Sequence, residues 1–153
     1  MDRELPPDFD VDYQLTRLVR QVRARSLRNL ASIHEELDYS TFVLLLAIVD
    51  AGTGEGEGVR ASELAESLHV HKSTVSRAVR LLETMQLVER TPHPEDGRAH
   101  VLKATPEATR RVDAYRENSH ARLAAALEHW EPTELRTFAQ LLGRLNDALG
   151  VED

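Results

Sequence analysis

A mainly helical chain carrying one small β-hairpin is the fold class that the sequence predicts, on three observations. Apolar residues recur at three- and four-residue steps through most of the 153 residues. Two short helical patterns stand close together on either side of His69-Val70-His71. Directly behind them, two alternating segments flank a run dense in turn residues, Pro92-His93-Pro94-Glu95-Asp96-Gly97. The length leaves room for one compact domain with helical arms. At 41% hydrophobic and 29% charged residues the composition is that of an ordinary globular chain.

Several function classes fall away at once. The chain has no cysteine, which removes disulfides, thiolate metal sites, cysteine nucleophiles and thiol redox sensing, and suits a reducing cytoplasm. Its start, Met1-Asp2-Arg3-Glu4-Leu5-Pro6-Pro7, lacks the apolar core of a secretion signal. Its longest apolar run, Phe42 to Val49, is far short of the ~20 residues of a membrane span. A cytoplasmic protein with no membrane partner is expected. The net charge of −7, from 19 basic and 26 acidic residues, argues at first sight against a partner as anionic as DNA.

Taken in order, residues 1–10 read as an acidic tail. A first helix is expected over 11–37. Leu15, Leu18, Val19, Val22, Ser26, Leu30 and Ile33 form its stripe, and Arg17, Arg20, Arg23, Arg25 and Arg28 stand between them. Asp38 or Ser40 can cap a second helix, Thr41 to Asp50, which is apolar all round and so belongs at the centre of a core. A short strand competes for that run, but Ala51-Gly52 is a helix C-cap signal. Gly52 to Gly58 holds four of the seven glycines. Neither phosphate-loop spacing is met and Glu55 and Glu57 would repel a phosphate, so the segment reads as a flexible connector.

Ser62 to Leu68 and then Lys72 to Met85 make a short helix, a tight turn and an amphipathic helix with Val75, Ala78, Val79 and Leu82 on one face. Leu87 to Thr91 and Ala99 to Ala104 alternate like strands around the turn-rich run, and Thr105-Pro106-Glu107 opens another helix. A hairpin placed directly after the second helix makes this a winged helix-turn-helix. The rest is helical. Ala108, Val112, Tyr115, Ser119, Leu123, Ala126, Leu127 and Trp130 form one stripe, and Leu135, Phe138, Leu142, Leu145 and Leu149 form a coiled-coil-like seam. A dimer built from the first and last helices is favoured over packing within one chain. The division is then a tail at 1–10, a dimerisation helix at 11–37, a DNA-binding lobe at 38–105 and dimerisation helices at 106–150. Within the lobe, the recognition helix lies at about 72–85 and the wing at about 87–104.

The sequence resembles the MarR family of bacterial transcription regulators. The resemblance rests on Ser62-Glu63-Leu64-Ala65, Ser73-Thr74-Val75-Ser76-Arg77, Leu82-Glu83, Leu87-Val88-Glu89-Arg90, the wing signature Asp96-Gly97-Arg98, Leu102 and Thr105-Pro106-Glu107. Two positions depart from it. Gln86 stands where the family usually has glycine, costing on the order of 1 kcal/mol if the backbone there is left-handed. His71 stands where a small capping Ser or Thr is usual.

Function follows residue by residue. With Val75, Val79 and Leu82 inward, Ser73, Ser76, Arg77, Arg80 and Thr84 face outward. The expected major-groove contacts are Lys72, Ser73, Thr74, Ser76, Arg77 and Arg80, with short hydroxyls for several base edges and Arg77 as a fork for guanine or phosphate. The resemblance implies that Arg98 enters the minor groove, with Asp96 orienting it or bracing the wing. Residues 59–105 carry seven basic and six acidic groups, +1 against −8 for the remainder, and four of the seven histidines. Affinity should therefore rise as pH falls toward the histidine pKa.

The resemblance further implies a repressor that binds a pseudo-palindromic duplex as a homodimer. It also implies release by a small phenolic or other anionic effector, with Arg17, Arg20, His34 and Tyr39 as the places for that ligand. No cofactor and no metal is expected: His69 and His71 lack a third ligand at a fixed spacing. No nucleophile, base and orienter assemble by spacing, so an enzyme is not expected. A winged-helix module that binds another protein stays as the alternative, because the acidic total would suit it.

Overall fold

A computed structural model describes residues 10–52, 58–92 and 100–150. The chain forms six α-helices and one hairpin among these residues. In order they are α1 (Val11–Asn29), α2 (Tyr39–Gly52), α3 (Ala61–Ser67), α4 (Lys72–Thr84), β1 (Val88–Pro92), β2 (His100–Ala104), α5 (Pro106–Ala126) and α6 (Pro132–Leu149). The fold class is as expected, a mainly helical chain with a two-stranded antiparallel wing.

The Asp10 side chain accepts the amide of Tyr13 at 3.1 Å and so caps α1. The last residue assigned to the tail is thus part of a helix end. The helix expected over 11–37 stops at Asn29, where Leu30–Ser32 tightens into a 3₁₀ turn and the Ser32 hydroxyl donates to the Asn29 carbonyl at 2.6 Å. The apolar spacing that suggested a longer helix is real, since Leu30, Ile33 and Leu37 are all buried, but a tight turn and a loop satisfy it equally. Asp38 then caps α2, accepting the Thr41 amide and the Thr41 hydroxyl, each at 2.9 Å, and the Ser40 hydroxyl.

The chain divides into two compact units, one running through Tyr115 and one beginning at Arg116. The first contains the core. Thr41, Phe42, Leu44, Leu45, Ile48 and Val49 of α2 are buried, as its all-round apolarity requires. Leu64 of α3, Val75, Val79 and Leu82 of α4, Leu87, Leu102 of β2, and Ala108 and Val112 of α5 join the same cluster. The first turns of α5 are thus core-forming and belong with the first unit. Two polar groups are buried with it. Ser26 shares a 2.9 Å hydrogen bond with the Tyr115 hydroxyl, and Thr41 is bound by Asp38. The Tyr115 ring meets Phe42 edge-on at 4.9 Å.

The wing pairs Val88 with Ala104, Arg90 with Leu102 and Pro92 with His100. A third segment is attached to it. Val59 and Leu102 exchange backbone hydrogen bonds of 3.1 and 2.8 Å. Gly58 ahead of Val59 has φ 106°, and a Cβ there would lie 2.6 Å from the Leu102 carbonyl oxygen. The glycine-rich connector is thus pinned to the wing at its end, and only glycine fits there; residues 53–57 lie outside the described ones.

In the second unit, α6 opens on Pro132 with the Glu131 amide donating to the Glu134 carboxylate at 2.9 Å. Trp130 and Phe138 stack edge to face at 5.5 Å. No residue of α6 is buried in the single chain. No helix among the described residues is long and apolar enough to cross a membrane.

Candidate nucleic-acid interface

The helix-turn-helix is built by three backbone devices. The Arg60 amide donates to Glu63 at 2.9 Å, one half of a capping box that starts α3. The turn closes through His69 in the left-handed region, φ 51°. The His69 ring Nδ1 donates to the Glu66 carbonyl at 2.8 Å, and the Val70 amide donates to Ala65 at 3.0 Å. His71 then serves as the N-cap of α4 through its backbone alone, its carbonyl accepting the Thr74 and Val75 amides at 2.9 and 3.3 Å. Its side chain makes no capping hydrogen bond, as the departure from a small hydroxyl residue suggested.

Helical periodicity does the rest. Val75, Ala78, Val79 and Leu82 are buried, and Lys72, Ser73, Thr74, Ser76, Arg77 and Arg80 are exposed together with Thr84. Ser73, Ser76, Arg77, Arg80, Leu81 and Thr84 line one open groove of about 440 Å³. Lys72 and Ser73 also border a second hollow, with Ala65, Glu66, Val70 and His71, over the turn. Of the expected contacts on α4, Thr74 alone lines neither.

The step from α4 into the wing is fixed at Gln86, φ 58°. This is the left-handed backbone that glycine would adopt without strain. Thr105 braces the same joint. Its amide donates to the Leu87 carbonyl at 3.0 Å, its hydroxyl donates to the Gln86 carbonyl at 3.0 Å, and the hydroxyl oxygen accepts the Ala108 amide at 3.2 Å. Arg90 of β1 donates through Nε to Glu83 of α4 at 2.7 Å, joining the wing to that helix. Asp96 and Arg98, the expected wing contacts, lie outside the described residues.

Residues 36–99 match the MarR family. Among curated proteins, the chain is similar to the helix-turn-helix-type transcriptional regulator YxaD of Bacillus subtilis (strain 168). The two are 30% identical over 138 residues, 90% of this chain and 92% of YxaD. The chain belongs to the MarR family. The helix-turn-helix-type transcriptional repressor YetL of the same organism is 26% identical over 115 residues, 75% of this chain and 67% of YetL. The crystal structure of RV1404 from Mycobacterium tuberculosis has the same fold, with a TM-score of 0.77 at 24% identity over 99% of each chain. A MarR-type winged helix-turn-helix transcription regulator is a DNA-binding protein and not an enzyme.

Of the four residues marked for an effector, Arg17 and Arg20 belong to α1, His34 lies between the 3₁₀ turn and α2, and Tyr39 is the first residue of α2. Arg17 and Arg20 are exposed on α1. His34 is half-buried and its Nδ1 accepts the Glu36 amide at 3.3 Å. Tyr39 is half-buried, and the cation lying over its ring at 5.5 Å is Arg23. Sequence reasoning missed that pairing because helical spacing ranks five arginines alike. It also missed Leu81, Glu83 and Arg90, although the spacing of Arg77 and Leu81 on one helix was a usable signal.

Around α5, the hydrogen bond from Arg111, then the charge of Arg110 and Arg111, holds the Glu107 carboxyl below its ordinary value. Arg111 also donates to the Ile33 carbonyl at 2.6 Å, closing the end of the 3₁₀ segment.

Proposed function

We propose that this chain is one half of a homodimeric repressor that binds a pseudo-palindromic DNA operator and is released by a small phenolic or other anionic effector. The observation that carries the reading is the division of α4. One face is buried to 0–7% exposure at Val75, Ala78, Val79 and Leu82, and the other presents serines and two arginines along one groove. In this reading Lys72, Ser73, Thr74, Ser76, Arg77 and Arg80 enter the major groove, and Arg98 of the wing, oriented by Asp96, enters the minor groove.

Residues 38–105 bind DNA and the segments 11–37 and 106–150 pair two copies. The half-sites then lie ~10 bp apart, one helical turn. Support for the pairing is the apolar surface each segment leaves open: Val11, Leu18, Val19 and Val22 on α1, and Phe138, Leu141 and Leu149 on α6. Leu15, Leu135, Leu142 and Leu145, half-covered in the single chain, complete the two seams. The repressor sense draws on YetL, whose name is that of a repressor. A regulator of transcription works where the chromosome is, which in a bacterium is the cytoplasm.

A gel-shift titration with a duplex selected from random sequence tests the wing: Arg98→Ala binds it at least tenfold more weakly than the parent. Equal binding removes Arg98 from the interface. One observation favours a second reading. The net charge of −7 suits a winged-helix module that binds another protein, and for that module duplex affinity would show no dependence on salt.

A further inference from the structure

Leu81 is a large apolar side chain left 42% exposed on the recognition helix, in line with the residues that face DNA in the proposed function. Turning about 100° per residue, it lies ~80° round the helix from Ser73 and ~40° from Arg77. It is therefore on the flank of the groove-facing side, ~60° from buried Ala78 and ~100–160° from Leu82, Val75 and Val79. Glu83 and its Arg90 partner lie on the opposite flank, so the wing joins α4 on the side away from Leu81.

Thr84, one turn further on, points the same way chemically. Its hydroxyl proton is engaged by the Arg80 carbonyl at 2.9 Å, so it has no free proton to offer a base. Ser73, Ser76, Arg77 and Arg80 make the groove polar and basic over most of its length, and Leu81, beside the hydrogen-bonded Thr84, is the large apolar side chain in its lining.

We propose that Leu81 is a specificity-determining residue that reads the C5-methyl group of thymine in the major groove. The C5-methyl is the one apolar feature that a base pair presents there. An aliphatic side chain gains by covering it and gains nothing from cytosine at the same place. A groove in which Leu81 follows Arg77 by about one helical turn selects a half-site in which guanine or phosphate contact is followed by a methyl-bearing position. The inference rests on the DNA-binding reading of α4 and adds to it the base that one residue recognises.

The test uses the purified full chain and a duplex enriched from random sequence by that protein. Each thymine is replaced in turn by deoxyuridine, which deletes only the methyl group, and affinity is read by fluorescence anisotropy for the parent, Leu81→Ala and Arg77→Ala. At one thymine or more per half-site the parent loses about fourfold in affinity, the effect of uncovering one methyl-sized group. Leu81→Ala shows no further loss at that same position, and Leu81→Met keeps part of the parent's response. Because Leu81 is exposed, both variants should melt with the parent, and that is checked first.

Two results overturn the assignment: a deoxyuridine profile that is the same for parent and Leu81→Ala, or a uniform weakening by Leu81→Ala that no single thymine explains. If no duplex is enriched at all, or Arg77→Ala binds as tightly as the parent, it is the placing of α4 in the major groove that fails, and the thymine assignment fails with it.

Discussion

At the joint between α4 and β1 the chain passes through Gln86 with φ 58°, and an L-residue with a Cβ is strained there. The strain is compensated by Thr105, whose hydroxyl binds the Gln86 carbonyl. Gln86→Gly should therefore raise stability by up to about 1 kcal/mol in a urea titration. No change, or a loss, would mean that the Gln86 backbone is not strained. Asp38 is a second residue whose surroundings set its behaviour. Partial burial pushes its carboxyl up, but hydrogen bonds from Ser40 and Thr41 outweigh this and hold it below the ordinary value. The carboxylate form thus stabilises α2 above the unfolded pKa of about 3.9. That contribution fades as pH falls through the lower folded value. Asp38→Ala should cost about 1 kcal/mol at pH 7, and parent and variant should converge in acid. A difference that persists below pH 2 contradicts the cap.

Among the elements, α5 does two jobs in sequence. Its first turns lie in the core through Ala108 and Val112, while Leu123, further along, is 57% exposed. Thr105 starts the helix and ties it to the joint between α4 and β1. Thr105→Val keeps the shape and removes the hydrogen bonds. It should lower stability by about 1–2 kcal/mol and weaken operator binding beyond what the lost stability explains. A variant with parental stability and affinity would show that the joint needs no such brace.

This is also the scale at which the sequence spoke most clearly. The helices, the turn and the wing were legible because each has a strong local signature: period-3.6 stripes, Asp38 as a cap, Pro and Gly in turns, Thr105-Pro106 at a helix start. Features set by a particular backbone turn or by a distant partner were not legible. The end of α1 at Asn29 depends on Ser32 and on where Leu30 and Ile33 pack. The left-handed turn at His69 depends on Glu66. The pinning of Gly58 depends on Leu102, more than forty residues away. On the α4 face the polar groove residues could be read by their chemistry, whereas Leu81 was missed although its one-turn spacing from Arg77 was a signal, because apolar residues on an amphipathic helix are by default assigned to the core.

For the whole molecule, the net charge of −7 hides an uneven distribution. Residues 59–105 sum to +1, and α1 carries five arginines against the single acid Asp12. In the proposed dimer, affinity for DNA then comes from a few placed cations and from doubling by symmetry rather than from an overall positive field. Pairing should be visible in sedimentation. A dimer is expected at micromolar concentration, and Phe138→Glu with Leu149→Glu should shift it toward monomer with the helical signal retained. A parent that sediments as a monomer contradicts the paired seams.

Direct duplex binding is settled by a salt series. Affinity of the parent chain for its selected duplex, measured by anisotropy from 50 to 200 mM salt, should fall by on the order of a hundredfold or more as phosphate-bound counterions are released. Arg77→Ala should bind more weakly throughout and with a shallower slope if Arg77 takes a phosphate. An affinity that does not change with salt, or the absence of any enriched duplex, would contradict the reading of α4 as a helix that enters DNA.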